Sequence, residues 1–218
     1  MEETSASTVN LSDQNEGTTD EVQRLRHSGQ HHHEIVSLNK AKRLWGNLSI
    51  TTYNVESLSD DRIRNLINQM TIHKTKAMLI QGTRSKWTHD RIEGNYKIFF
   101  EPAGSEGPEQ FAGVAVIISL EILHKARINK IQIIEHRALG IRVKTQFMDV
   151  MFIAAYAPGD HLPRATRQKF WSTLSAEIRK APHRTVMIVG VDANGHVGRD
   201  PSGGIGPANP EYWSENGL

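Results

Sequence analysis

Eight short runs of strand-forming residues are separated by only two stretches of helical period, and that proportion limits what the chain can fold into. Leu48-Ser-Ile50-Thr-Thr-Tyr53 alternates and is rich in β-formers. Ala77–Ile80, Tyr96–Phe100, Val114–Ser119 and Thr185–Val189 are short runs bounded by polar or turn residues. Residues 128–134 and 137–145 suit two strands that pair, and Asp149–Tyr156 suits a strand ending at Pro158. The first helix starts at an N-cap Ser59 with Asp60 and Asp61 in its first turn, and Ile63, Leu66, Ile67 and Met70 form its apolar stripe. The second spans Arg164–Lys180, with Phe170, Leu174 and Ile178 on one side and Trp171 beside them. Strand–helix–strand stretches and consecutive strands both occur. That mixture predicts a layered α/β sandwich rather than a doubly wound parallel sheet.

Residues 1–45 differ from the rest: they are rich in Ser, Thr, Glu, Gln and Asn and show no apolar period. Such a segment cannot bury enough surface to offset chain entropy, so it is expected to be a disordered tail before a domain over 46–218. His27 and His31–His33 fall in that tail and read as a solvated tract, and order is expected from about Trp45. The first 23 residues hold six acids and no Lys or Arg, the opposite of a secretory signal. Apolar runs such as Val114–Ile118 and Val186–Val189 are far too short to span a bilayer. An intracellular chain, nuclear or cytoplasmic and without membrane contact, is therefore expected. The chain has no cysteine, which excludes a disulfide scaffold, a thiolate zinc site and a cysteine nucleophile. Neither a Gly-x-x-x-x-Gly-Lys-Ser/Thr loop nor a strand followed by Gly-x-Gly-x-x-Gly occurs, so no nucleotide cofactor is expected. From residue 47 onward 21 Lys and Arg face 17 Asp and Glu, a mild surplus that suits contact with phosphate.

Several polar residues share one placement. Asn54 follows the strand ending at Tyr53, Gln81 and Gly82 follow Ile80, Tyr156 ends its strand, and Asp192 and Asn194 follow Val189. Strand ends are where side chains converge on a ligand in open α/β sheets. Taken singly, each also suits ordinary turn chemistry; together they point to a site.

The same residues carry a resemblance. Thr52-Tyr53-Asn54-Val55, Ile80-Gln81-Gly82-Thr83-Arg84, Ala155-Tyr156-Ala157-Pro158 and the block from Gly190-Val191-Asp192-Ala193-Asn194 to Gly198 resemble, in order, four blocks of the endonuclease/exonuclease/phosphatase superfamily. The nearest likeness is to the apurinic/apyrimidinic-like endonuclease domain of non-LTR retrotransposons. The resemblance implies the layered sandwich of that type and metal-dependent hydrolysis of nucleic-acid phosphodiesters, with Mg²⁺ or Mn²⁺ as cofactor and DNA as partner. It makes Asp192 the carboxylate that orients the attacking water. It places Asn194 on phosphate or metal, Tyr156 on the phosphate or leaving group, and Asn54 in the metal-site network.

Two departures count against activity. Where the family places its main metal-ligand glutamate, this chain has Gly82. Glu56, two residues after Asn54, would share a face with it if the strand continued, and is the candidate substitute ligand. The second departure is at the C-terminus. The family continues for roughly 70 to 100 residues past the resembled segment and includes a Ser-Asp-His block, so the fold is expected to be incomplete there, with exposed sheet edges. His161 and His196 lie in loops near the proposed site and read as surface residues rather than replacements. Three readings stay open: a phosphodiesterase, a non-catalytic retrotransposon-derived remnant that binds DNA or a protein, and a decay product without function.

Overall fold

The structure is a computed structural model and describes residues 7–10 and 48–195. The expectations for His27, His31–His33, Trp45 and His196 lie outside the described residues.

The chain forms two sheets. One has the order β1 (Ser7–Asn10), β2 (Ser49–Asn54), β3 (Ala77–Gln81), β6 (Val114–Ser119), β5 (Tyr96–Glu101), β4 (Arg91–Glu93). The other runs β10 (Val186–Asp192), β9 (Asp149–Tyr156), β8 (Ala138–Lys144), β7 (Arg127–Ile134). Helix α1 (Asp60–Ile72) connects the parallel pair β2 and β3, and α3 (Arg164–Arg179) connects the parallel pair β9 and β10. A four-residue helix α2 (Leu120–Leu123) joins β6 to β7. The remaining adjacent pairs are antiparallel.

The apolar runs are continuous because both faces of each sheet are covered. Leu79, Val116, Ile118, Ile141, Phe152 and Ala154 fill the space between the sheets. Their strand neighbours Ile80, Ala115 and Ile117 point the other way, onto Ile63, Ile67 and Met70 of α1. Met151, Ile153 and Ala155 meet Phe170 and Leu174 of α3 in the same manner. Side chains alternate along a strand, so one run of six apolar residues supplies two separate cores. The result is a four-layer sandwich, of the layered α/β class that the segment order predicts.

Ser59 caps α1 through a hydrogen bond from the Arg62 amide to its Oγ, 3.2 Å long. Trp171 is half-buried and packs edge-on against Phe170 at 5.0 Å. Elements beyond those expected are β1, β4, α2 and a 3₁₀ turn at Gly107–Phe111. β1 lies inside the tail expected to lack structure and corrects that expectation at Ser7–Asn10. There the backbone pairs antiparallel with the outer edge of β2, register Val9 opposite Ile50. A four-residue strand is too short to show a period, and pairing with an existing edge forms it. Among the described residues β10 has no outer neighbour, and Val186 and Val189 are 41% and 38% exposed.

Candidate functional site

Both strand–helix–strand units bring the carboxyl ends of their strands to the same end of the sandwich. Asn54 sits opposite Gln81 where β2 and β3 finish, and Asp192 sits opposite Tyr156 where β10 and β9 finish. The units meet across the sandwich, because Asn54 Nδ2 donates to Asp192 Oδ2 at 2.6 Å. The other oxygen of that carboxylate, Oδ1, accepts from the Asn194 amide at 2.9 Å. Asn194 Nδ2 then donates to the Ala157 carbonyl at 2.6 Å, and the Ala157 amide donates to the Asp192 carbonyl at 2.9 Å. Asn54, Asp192 and Asn194 are thus one hydrogen-bonded group, and the backbone ladder carries Tyr156 beside it.

Two residues hold the sheets close enough for this. Gln81 is buried, and its Nε2 donates to Thr52 Oγ1 at 3.0 Å and to the Gly190 carbonyl at 3.1 Å, tying β3 to its own sheet and to β10. A Cβ at residue 190 would stand 2.7 Å from Thr52 Oγ1 and 2.9 Å from the Leu79 side chain. Only glycine allows that approach, which explains Gly190 beside the site.

The surrounding loops are tightly turned. Glu56, Gly82 and Asn194 have φ of 56°, 63° and 47°, all left-handed. The strand ends at Asn54, so the alternation that would put Glu56 and Asn54 on one face does not continue. Glu56 is exposed, and its contribution is its amide, which donates to Asn54 Oδ1 at 3.2 Å. Gly82 stands against the same oxygen: a Cβ there would lie 2.6 Å from Asn54 Oδ1.

These contacts test whether a divalent cation fits. Mg²⁺ and Mn²⁺ need hard oxygen donors in a near-octahedral set, usually anchored by one or two carboxylates. Asp192 supplies one carboxylate, and both its oxygens already accept hydrogen bonds. Asn54 Oδ1 faces an amide, Gly82 brings no side chain, and Glu56 points away from strand register. Among the described residues no three His, Asp or Glu side chains gather where a cation could sit. The set present does not fit a resident divalent ion.

Three basic residues between Gly82 and the start of β4 have different surroundings. Lys86 Nζ is tied to the Gly104 carbonyl, and Arg91 pairs with Asp60 at 2.7 Å while lying 4.6 Å from the Trp87 ring centroid. Arg84 is exposed and lies 5.5 Å from the Phe111 ring centroid. Phe111 forms one wall of a cleft of about 460 Å³ that also touches Tyr156, Asn194 and His161. Neither the cleft nor the part Gly107–Phe111 plays in it shows in the sequence, because that segment has no period and Phe111 joins the site only through the fold.

No protein-family model and no curated protein sequence matches the chain. Solved structures similar to it include the endonuclease domain of TRAS1, a telomere-specific non-LTR retrotransposon, at 14% identity, covering 69% of this chain and 59% of that one, TM-score 0.48. An AP endonuclease from Archaeoglobus fulgidus is similar at 21% identity, covering 71% and 59%, TM-score 0.47. An endonuclease/exonuclease/phosphatase family protein from Leptotrichia buccalis is similar at 14% identity, covering 67% and 66%, TM-score 0.46. The chain spans 59% of the length of the TRAS1 domain.

Proposed function

We propose that this chain is a nuclease-like domain that binds nucleic acid at the strand ends without cleaving it. The observation that carries this reading is the state of Asp192. In a metal-dependent phosphodiesterase the corresponding carboxylate would share a cation with a second acid and orient water. Here each of its oxygens accepts a hydrogen bond, from Asn54 and from Asn194, and Gly82 stands where the resembled family has an acid. The polar frame persists, and the charge that would hold a divalent ion against phosphate is reduced to one carboxylate. The residues proposed to face the nucleic-acid backbone are Tyr156, Asn194 and Arg84, which lie along one cleft and its rim. The remnant reading of the sequence is favoured over the phosphodiesterase reading on this ground.

Supercoiled-plasmid nicking in Mg²⁺ and in Mn²⁺, run beside salt-dependent DNA binding, tests the proposal. Binding that weakens as salt rises, with no nicking in either metal, is expected. Nicking by the wild type that disappears in Asp192→Ala would restore the catalytic reading. Absence of DNA binding at low salt would remove the binding one.

A further inference from the structure

We propose that the cleft beside Tyr156 receives one unstacked nucleobase of a single strand, with Phe111 as the stacking face. This rests on the nucleic-acid-binding reading and specifies what enters the cleft. Phe111 is 50% exposed, among the few large apolar side chains that remain so, and burial in its own core does not explain its position. It is held rigidly. The 3₁₀ turn Gly107–Phe111 is anchored by Glu109, whose Oε1 accepts from Arg137 Nε at 3.0 Å, and Arg137 Nη1 donates to the Tyr156 carbonyl at 3.3 Å. One buried guanidinium therefore sets the distance between the Phe111 wall and the Tyr156 end of the cleft.

The chemistry of the walls selects the occupant. Phe111 and Pro108 offer flat apolar surface, Asn194 and Tyr156 bring polar groups, and Arg84, outside the lining, places a cation 5.5 Å from the Phe111 ring centroid. Bases stack on aromatic rings and on guanidinium planes, and every base has a face suited to both. A volume of about 460 Å³ lies within the range of clefts that hold small ligands. A peptide strand would need a free sheet edge to pair with. Tyr156 ends β9, an interior strand between β10 and β8, and the other lining residues lie on loops or the short turn. Asn194 lines the cleft and its amide donates to Asp192, so a base held there would leave its phosphate at the strand ends.

The test is fluorescence anisotropy of a short labelled single-stranded DNA with the full chain, at low salt and in EDTA. A strand of equal length whose sugars carry no bases serves as the second probe. Phe111→Ala is expected to weaken binding of the normal strand about 5- to 100-fold, and Phe111→Trp to retain it. The base-free strand should bind weakly and equally to wild type and Phe111→Ala. Wild-type affinity in Phe111→Ala, or equal binding of both strands, would overturn the inference while leaving DNA binding itself intact. Absence of binding by every form would sink both readings. Metal-dependent nicking that needs Asp192 would sink the non-catalytic reading alone, because the stacking measurement is made without metal.

Discussion

Replacing Gly82 by alanine puts a methyl carbon where the structure has no room for it. The new Cβ would stand 2.6 Å from Asn54 Oδ1, closer than a carbon and an oxygen can pack, on a backbone whose φ is 63°. The left-handed conformation alone costs an alanine on the order of 1–3 kcal/mol. Displacing Asn54 breaks its 2.6 Å hydrogen bond to the Asp192 carboxylate, and a bond to a charged group contributes about 1.5–3 kcal/mol. Together the loss is about 2.5–6 kcal/mol, or a fall in melting temperature of roughly 5–24 °C for a domain of this size. Urea unfolding followed by circular dichroism measures it. The decisive form is a double-mutant cycle: in Asn54→Ala the obstructing oxygen is gone, so Gly82→Ala should then cost the backbone strain alone. A coupling of at least about 1 kcal/mol is expected between the two positions. Additive effects, or an unchanged midpoint in Gly82→Ala, would refute the claim that Asn54 occupies the space beside residue 82. The same geometry predicts that Gly82→Glu destabilises the fold instead of restoring a metal ligand.

Other consequences are equally checkable. Gln81→Leu removes the side chain that bridges Thr52 and the Gly190 carbonyl, leaving buried groups unpaired, and should cost about 1–3 kcal/mol in urea unfolding with faster amide exchange along β10. The Arg142 guanidinium, held to Asp149 through bonds of 2.8 and 2.6 Å, keeps that carboxyl below its ordinary value. Because the folded state then binds the proton less readily than the unfolded chain, the stabilisation is fully present above about pH 4 and is lost as pH falls through the lowered value. The melting temperature of Asp149→Asn should lie below that of wild type at pH 7, with the gap closing in acid; a gap that is constant with pH would refute the pairing.

The main elements of the sandwich follow from local pattern, and particular residues show why. Ile80 and Leu79 are adjacent, apolar and buried on opposite faces, so a run read only as apolar still marks a strand covered on both sides. The strand-end residues were legible because polar side chains after apolar runs mark loop positions. Their meeting was not, since Asn54 and Asp192 are joined by the packing of two sheets and not by spacing. Glu56 shows the limit of extrapolating strand alternation: one left-handed residue after β2 ends it. β10 runs on through Gly190 and Val191 to Asp192, past the expected end at Val189, because its ladder with β9 continues where glycine would suggest a stop. The Phe111 cleft arises from four distant segments and has no local signature.

The central claim is that the strand ends keep a polar frame but not the donors for a divalent cation, and a Mn²⁺ titration of the full chain by isothermal calorimetry tests it most directly. No saturable site is expected for the wild type, and the same trace for Glu56→Ala. A stoichiometric site that disappears in Asp192→Ala would contradict it.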